Sequence, residues 1–418
     1  MLITVDNQRC RLIILVTSHL KQNERIAVLN ERSKPMNIFL HRINEVENHI
    51  HQQDLNLGYR RLIDLILDLG DLHFYKKIIA YSDLYYTEQT SDEKKKSQAL
   101  DLLEELKQTT PPTYSEEEIL IRTEDVEKAY HRRNFKLHPI CFDLRSREVV
   151  GLVGENGNGK TTLLRLIAGE LKPTGGKIEY LFSKHEPFSF DLKSQLIFVP
   201  QRIEELYGNL MNNLQFTLSS YQIKGEENLL LAQVMLARLG LWEYKDLEWR
   251  QLSSGYKMRF ELARTLLRRP KVLLLDEPLA NLDIMAQQII LEDLKYLSQS
   301  IRNPFGVILS SQQLYEVEKV STEVIFLEHG VVRYQEDKTE ASPNKTIVEI
   351  DVDNSKEELS TALQHLKMQS LKFNGGSYIA YFEESITLNH ILIAIGNSDL
   401  KVKYIRDIST SSRRFFVN

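Results

Sequence analysis

A glycine-rich stretch, GENGNGKT at 154–161, constrains the fold of this chain more than any other part of the sequence. It follows the apolar run EVVGLV and precedes TLLRLIAG, which has the pattern of a helix. A strand, a glycine-rich loop and a helix in this order form a phosphate-binding loop, or P-loop. Its glycines let backbone N–H groups approach phosphate oxygens, and the helix N-terminus favours negative charge. The sequence therefore predicts an α/β fold with a phosphate site at this loop.

The side chains of the predicted P-loop have distinct expected roles. Lys160 is placed to neutralise the β and γ phosphates of a nucleotide, and the Thr161 hydroxyl is placed to bind Mg²⁺. We expect the loop backbone to hold further phosphate oxygens. The candidate nucleotide-binding residues of this loop are Gly154, Glu155, Asn156, Gly157, Asn158, Gly159, Lys160, Thr161 and Thr162.

Two adjacent carboxylates end a second apolar run, KVLLLDEP at 271–278. Asp276 is placed to hold Mg²⁺, as a Walker B aspartate does. Glu277 is the candidate general base for an attacking water, and a positioned base contributes roughly 10² to 10⁴ to a rate. We therefore expect Lys160, Asp276 and Glu277 to form the centre of a nucleotide-hydrolysing site.

The segment between these motifs carries the most specific resemblance in the chain. It reads QLSSGYKMR at 251–259 and runs into the helical pattern FELARTLLRRP. Within it, LSSGY resembles the LSGGQ signature of ABC transporter ATPases, with Ser254 at the usual first glycine and Tyr256 at the glutamine. A serine followed by a glycine at a helix N-terminus is also an anion-binding arrangement. In that family Ser253, Ser254 and Gly255 would face the γ-phosphate held by a second subunit, which implies a head-to-tail homodimer with shared ATP sites.

Three further residues follow the order of the family's motifs. Gln201, after the run IFVP, resembles the Q-loop glutamine, which in this family contacts Mg²⁺ and relays the nucleotide state to the membrane partner. Tyr130 resembles the aromatic residue that stacks on adenine, although a plain strand-end tyrosine is the alternative. Asp283 resembles the acidic residue of the D-loop at the dimer seam. The resemblance implies a P-loop NTPase core with a helical subdomain, and ATP and Mg²⁺ as cofactors.

One departure from the family pattern concerns catalysis. After the apolar run GVIL the chain reads SSQQL, so that Gln312 stands where the family has its switch histidine. Glutamine can donate a hydrogen bond to a γ-phosphate, but it carries no positive charge. Stabilisation of the transition state should therefore be weaker, and we expect ATP hydrolysis that is slow but real.

Changes in sequence pattern divide the chain into three predicted domains. Apolar residues recur at helical spacing over 1–118, a predicted α-helical domain punctuated by polar stretches at 87–97 and 107–118. Over 119–340 short apolar runs alternate with helical stretches, which is typical of a parallel sheet covered by helices. The segment 341–418 follows a β-α-β-β-α-β pattern, which predicts a ferredoxin-like α+β domain.

The two flanking segments differ in what they suggest. The last segment is similar to the domain appended to many ATPases of ABC-2 type exporters, and an unrelated ferredoxin-like appendage is the alternative. The N-terminal helices are open to two interpretations: a bundle with its own core, or a docking surface for a partner. Residues 1–35 lack a clean period, and Met36 opens the first regular helical pattern, which makes it a candidate natural start.

Composition narrows the cellular setting. Two cysteines in 418 residues cannot form a disulfide framework, which favours a reducing, cytoplasmic compartment. The apolar runs are shorter than the ~20 residues that a membrane-spanning helix needs. Membrane attachment is therefore expected through a partner, at the cytoplasmic face of the cell membrane. A net charge of -5 gives no overall electrostatic reason to bind nucleic acid.

Three functions are compatible with these motifs. The first is the ATP-hydrolysing subunit of an ABC-2 type exporter, which dimerises and drives a separate integral membrane permease. The second is a soluble ABC-type ATPase switch that acts on a macromolecule through its N-terminal helices. The third, a binding module without catalysis, is disfavoured because Lys160, Asp276 and Glu277 are all present.

Overall fold

The computed structural model describes residues 35–110, 112, 114, 116–130, 135–183, 190–337, 345–383 and 385–409. The irregular pattern predicted before Met36 therefore lies almost wholly outside the described residues. None of the described helices is both long enough and apolar enough to cross a bilayer.

Four helices precede the first strand in the described chain. They are α1 (Pro35–His51), α2 (Leu55–Leu69), α3 (Leu72–Tyr85) and α4 (Asp92–Lys107), and we call them the N-terminal bundle. Asp54 and Asp71 cap α2 and α3 by accepting a hydrogen bond from a backbone N–H. Gly70 ends α2 in the left-handed conformation, at φ 70°. Gly70 therefore separates α2 from α3.

The polar stretch at 87–97 spans the break between α3, which ends at Tyr85, and α4, which begins at Asp92. Ser91 caps α4 by accepting a hydrogen bond from the Lys94 amide, and Asp92 adds negative charge to the first turn. The helix buries Leu103 and Leu106 on one side. The stretch that punctuates the predicted helical region therefore contains both a helix break and the start of α4.

Residues 119–337 form two sheets. Their strands are β1 (Ile119–Tyr130), β2 (Phe135–Arg145), β3 (Val149–Val153), β4 (Gly175–Tyr180), β5 (Leu196–Val199), β6 (Val272–Leu275), β7 (Gly306–Ser311), β8 (Glu323–Glu328) and β9 (Val331–Asp337). The central sheet has the order β5-β6-β7-β3-β8-β9, and β2-β1-β4 form a second, antiparallel sheet. In the central sheet β9 alone is antiparallel to its neighbour.

Some helices of this part of the chain cover the central sheet, and others form a group between β5 and the signature-like segment. They are α5 (Lys160–Ile167), α6 (Phe190–Gln195), α7 (Leu210–Ser220), α8 (Gly225–Arg238), α9 (Ser254–Leu266), α10 (Ile284–Ser298) and α11 (Leu314–Val320). Every residue of β3, β6 and β7 is buried, as expected for parallel strands covered on both faces. The predicted α/β core is therefore confirmed.

The N-terminal bundle shares its hydrophobic core with this part of the chain. Buried Leu62 and Ile78 of the bundle belong to the same continuous apolar cluster as Leu236 of α8 and Leu294 of α10. Helices α2 and α3 of the bundle also contact α8 directly. The interpretation of a bundle with a separate core is therefore wrong.

The last described segment forms a four-stranded antiparallel sheet of its own, with two helices. Its elements are β10 (Lys345–Val352), α12 (Lys356–Leu363), β11 (Ser370–Asn374), β12 (Ser377–Glu383), α13 (Leu388–Gly396) and β13 (Val402–Asp407). The strand order is β11-β12-β10-β13, and a separate apolar cluster that includes Phe382 lies between sheet and helices. Its assignment as a ferredoxin-like domain over 341–418 stays a prediction, as do the other two domain boundaries.

Candidate functional site

The predicted site residues follow the carboxyl ends of four neighbouring parallel strands. The P-loop follows β3, Gln201 follows β5, Asp276 and Glu277 follow β6, and Gln312 follows β7. These four strands are adjacent in the order β5-β6-β7-β3. Because parallel strands end at one edge of the sheet, the fold brings together side chains that are far apart in sequence, and such an edge is where α/β proteins bind ligands.

The P-loop backbone depends on glycines at two positions. Gly157 and Gly159 have φ angles of 86° and 101°, in the region that side chains disfavour. A Cβ atom at Gly159 would lie 2.9 Å from Leu137 Cδ1 and 3.0 Å from Phe135 Cζ, whereas at Gly157 it would meet open space. Gly159 therefore lets the start of α5 lie directly against β2. At Gly157 a side chain would have room, so the backbone conformation alone favours glycine there.

The Lys160 side chain lies against the backbone of the P-loop. Its Nζ donates hydrogen bonds to the carbonyls of Gly154, at 2.6 Å, and Glu155, at 3.2 Å. It also lies 3.0 Å from Glu277 Oε1, an ion pair whose geometry is not that of a directed hydrogen bond. The lysine is only 5% exposed. The predicted phosphate-binding cation and the predicted general base are therefore in direct contact.

Thr161 and Asp276 make the contact expected of a shared magnesium site. The Thr161 hydroxyl donates to Asp276 Oδ2 at 2.8 Å, and the Ser310 hydroxyl donates to Oδ1 of the same carboxylate at 2.8 Å. A hydroxyl beside a carboxylate offers the hard oxygen donors that Mg²⁺ prefers. The described residues contain no group of three or more His, Cys, Asp or Glu side chains arranged for a metal. A magnesium ion here would therefore take most of its ligands from phosphate and water.

Glu277 is held in an unusual backbone conformation. Its φ is 49°, in the left-handed region, and its amide donates to the Ser310 hydroxyl at 2.8 Å. Non-glycine residues in this region cost roughly 1–3 kcal/mol and cluster at functional sites. The turn directs the carboxylate of Glu277 toward Lys160, where a base for nucleotide hydrolysis is expected.

Asn158 uses its side chain for structure. Its Nδ2 donates to the Leu327 carbonyl at 3.1 Å, and its Oδ1 accepts from the His329 amide at 3.0 Å. These bonds join the P-loop to the turn between β8 and β9. The Asn158 backbone N–H also donates, to the Glu155 carbonyl at 3.3 Å, and the contact of this residue with nucleotide stays a prediction.

The remaining residues of the predicted phosphate site are accessible. Glu155, Asn156, Gly157, Thr161, Gln201 and Gln312 are exposed, and Thr162 is half-buried. Tyr130 ends β1 with its ring centroid 6.4 Å from that of Phe135. Because Phe135 lies next to Gly159, Tyr130 stands near the P-loop, at the place where a base-stacking ring is expected.

The signature-like segment begins helix α9. Ser253 is the N-cap, and its hydroxyl accepts from the Tyr256 amide at 3.4 Å. Ser254 donates to the carbonyl of Asn281 at 2.9 Å, which ties the segment to the D-loop. A Cβ atom at Gly255 would lie 3.6 Å from Ala286 Cβ, so the two segments are also in close approach. Ser253 and Ser254 are both exposed.

The predicted D-loop aspartate caps α10. Asp283 accepts a hydrogen bond from the Ala286 amide at 2.9 Å. The two residues after it, Ile284 and Met285, are 68% and 65% exposed. These two large apolar side chains stand beside the signature-like segment, since Ser254 of that segment bonds the nearby Asn281 carbonyl.

Ser310 is a site residue that the motifs do not identify. It stands at the end of β7, is fully buried, and bonds both Asp276 and Glu277. The signal in the sequence is a polar residue closing an otherwise apolar run, GVILSS. That signal shows where the strand ends, but the bonding partners follow only from the pairing of β6 with β7.

Comparison with known proteins places these residues in a family. A family model described as ABC transporter matches residues 137–280. This range runs from β2 through the P-loop and the signature-like segment to Glu277. It therefore contains most of the residues whose geometry is described above.

Individual relatives match over about half of the chain. ABC transporter ATP-binding protein NatA of Bacillus subtilis is 31% identical over 205 residues, which are 47% of this chain and 79% of that protein. Zinc import ATP-binding protein ZnuC of Vibrio vulnificus is 33% identical, over 47% of this chain and 69% of that protein. Spermidine/putrescine import ATP-binding protein PotA of Mycoplasma mycoides is 30% identical over 47% of this chain, but only 56% of that protein's length is spanned.

Replacing Ser310 with alanine tests the bonding pattern at β7. Ser310→Ala removes a donor to the Asp276 carboxylate and an acceptor for the Glu277 amide, so that carboxylate and the turn that positions Glu277 each lose a partner. We expect ATP turnover to fall about tenfold, or roughly 1.4 kcal/mol of transition-state stabilisation. Phosphate release at saturating Mg²⁺ and ATP measures it. Ser321→Ala is the control, because the hydroxyl of that buried serine donates to the Val317 carbonyl of α11 rather than to a site residue; equal rates for both variants would contradict the assignment.

Proposed function

Because this chain belongs to the ABC transporter family, we propose that it is the ATP-binding and ATP-hydrolysing subunit of an ABC transporter. One observation carries the proposal. Lys160, Thr161, Asp276 and Glu277 converge at the carboxyl edge of the central sheet, with oxygen donors for Mg²⁺ beside a cation for phosphate. A general base in contact with that cation supports hydrolysis rather than binding alone.

Within this proposal, ATP changes the partners of Lys160. The lysine pairs with Glu277 and the P-loop carbonyls, and a triphosphate in the loop would compete for its charge. Glu277 would then be free to accept the proton of an attacking water. Thr161 and Asp276 would hold Mg²⁺, which neutralises phosphate charge when bound. Ser310 keeps Asp276 and the Glu277 backbone in register throughout.

We propose that two copies complete each other's ATP site in a head-to-tail homodimer. The Ser253 hydroxyl is exposed at the start of a 13-residue helix, a position suited to binding an anion. Its described hydrogen bond is within its own helix, so the hydroxyl is available to a phosphate from outside the subunit. The adjacent exposed Ile284 and Met285 supply apolar area for the same contact.

The membrane partner and the direction of transport are finer parts of the proposal. We propose that a separate integral membrane permease binds this subunit and holds it at the cytoplasmic face of the membrane. The β-α-β-β-α-β segment supports the ABC-2 exporter type. The names of several relatives, such as zinc import and spermidine/putrescine import, support import instead. We retain export because those relatives align with less than half of this chain.

A soluble ATPase switch remains the second candidate. It would use the N-terminal bundle as a recognition arm for a macromolecule. The packing of the bundle weakens that candidate, because Leu62 and Ile78 are buried in a core shared with α8 and α10. The bundle is thus less free to act as an arm than an independent domain would be.

The dimer is tested by removing the proposed base. Glu277→Gln keeps the shape of the side chain but cannot accept the proton of water, so ATP should remain bound between two copies. We expect this variant to elute as a dimer with Mg-ATP and as a monomer with ADP in size-exclusion chromatography. Lys160→Ala in the same background is the control, since it should lose the nucleotide. A monomer at saturating ATP would exclude shared sites.

We further propose that Gln312 makes hydrolysis slow, because it offers no positive charge to the γ-phosphate. Gln312→His should raise kcat about tenfold, and the gain should decrease as pH rises above roughly 6.5 and the imidazole loses its proton. Steady-state phosphate release from pH 6 to 8 measures both effects. Gln313→His is the matched control, because it places the same side chain one residue away. A Gln312→His variant no faster than wild type would refute this role.

The permease is tested by co-purification. We expect tagged wild-type protein to be recovered from detergent-solubilised membranes together with a polytopic chain. Release of the protein from membranes by ethylenediaminetetraacetate would indicate a metal-dependent contact, and release by high salt alone would indicate an electrostatic one. Recovery only in soluble form, with no polytopic partner, would favour the soluble switch instead.

A further inference from the structure

The inner side of the N-terminal bundle is charged where it meets the rest of the molecule. Helix α2 carries Arg60, Arg61, Asp64 and Asp68 on this side, and these four side chains are at most 14% exposed. Charges are rarely buried unless they are paired. The partners of these four side chains therefore identify the parts of the chain that this side of the bundle contacts.

Arg238 is the central partner. It is the last residue of α8, and it is fully buried, with 0% exposure. Its guanidinium donates through Nε to Asp64 of the bundle and through Nη1 to Asp293 of α10, the latter at 3.0 Å. Arg60 of the bundle reaches the same Asp293 oxygen at 2.9 Å. One buried arginine and two aspartates thus join three parts of the chain: the bundle, α8 and α10.

The charges in this contact support one another. Burial opposes the charged form of Arg238, but Asp293 and Asp64 outweigh it and raise the pKa of the guanidinium above its ordinary value. Removing one aspartate would leave part of a buried charge uncompensated, which is far more harmful than losing a surface ion pair. The contact therefore holds the three helices in one arrangement.

A second group of bonds fixes the far end of α10. Asp68 accepts hydrogen bonds from Ser300 Oγ at 2.5 Å and from the Ile301 amide at 3.1 Å, in the turn that follows the helix. Arg42 of α1 donates to the Gln299 carbonyl at 2.5 Å. The Arg61 guanidinium lies 3.4 Å from the centroid of the Tyr296 ring, as a cation–π contact. The bundle therefore contacts the C-terminal half of α10 and the turn that follows it.

Helices α8 and α10 lead to the two loops that face a second subunit in the proposed dimer. Helix α10 begins at the D-loop residue Asp283. The turn after α8 contains Tyr244, whose hydroxyl lies 3.0 Å from that of Tyr256 in the signature-like segment. The first connection runs along helix α10, and the second is a direct contact between two side chains. A shift between α8 and α10 would therefore move Ser253 relative to Asp283.

We propose that the N-terminal bundle is a brace that fixes α8 to α10, and that Asp64 and Arg238 are positioning residues for the composite ATP site. In this arrangement the bundle sets the geometry of the dimer face without contacting nucleotide. The inference rests on the proposed homodimer. It assigns a role to helices that none of the motifs explains.

The test uses the full chain in the Glu277→Gln background, where dimerisation is measurable. Adding Asp64→Asn removes the charge that joins the bundle to Arg238 but keeps the shape of the side chain. We expect the ATP-dependent dimer to dissociate at least tenfold more readily in analytical ultracentrifugation, with the nucleotide affinity of the monomer unchanged. Asp64→Glu should restore dimerisation, because it restores the charge. Glu105→Gln is the matched control, since Glu105 pairs with Lys77 inside the bundle.

A second measurement does not depend on dimerisation. Hydrogen–deuterium exchange of the monomer should become faster in α8 and α10 of the Asp64→Asn variant and stay unchanged in the Glu105→Gln control. If Asp64→Asn fails to fold, Arg60→Gln replaces it, because it removes one bond to Asp293 and leaves Arg238 paired.

The outcomes separate the two proposals. If Glu277→Gln alone does not dimerise, the proposed composite site fails, and faster exchange in α8 and α10 still supports the brace. If Glu277→Gln dimerises and Asp64→Asn changes neither the dimer nor the exchange relative to Glu105→Gln, the brace is refuted. Weaker nucleotide binding by the monomer would also overturn it, since it would mean that Asp64 acts on the P-loop itself.

Discussion

The hydrogen bonds of the Asp276 carboxylate are the interaction on which the site depends. One oxygen accepts from Thr161, after β3, and the other from Ser310, at the end of β7. The carboxylate itself stands at the end of β6, so three strand ends are joined through one side chain. Ser310 extends the same connection to the Glu277 amide. The predicted phosphate-binding loop, the predicted magnesium ligands and the candidate base are therefore held in position together.

A second constraint acts far from the phosphate site. Burying Arg238 completely requires carboxylates on both sides, and these come from Asp64 in the bundle and Asp293 in α10. The N-terminal helices therefore cannot be treated as an addition to a finished core. They supply one of the charges without which the contact between α8 and α10 would be incomplete. The site and the brace are linked because α10 begins at the D-loop.

Sequence reasoning succeeded where the signal is local. The P-loop, the strand ending in Asp276 and Glu277, and the serine that caps α9 were all readable, because a backbone pattern and its side chains lie within a few residues. It failed for the N-terminal bundle, because helical periodicity shows that one face of a helix is buried but not which part of the chain covers it. It also did not predict that the Asn158 side chain bonds to Leu327 and His329 across the β8–β9 turn.

The sequence by itself determined the predicted chemistry of this protein: which residues are candidates to bind phosphate, which are candidates to offer oxygen to a metal, and in what order the strands and helices follow. The tertiary structure alone decided which distant residues meet. Asp64 and Arg238 are 174 positions apart, and Ser310 and Asp276 are 34 apart. Periodicity and capping act over one or two turns of chain, whereas such pairs depend on how strands are ordered in a sheet and which helix faces are buried together.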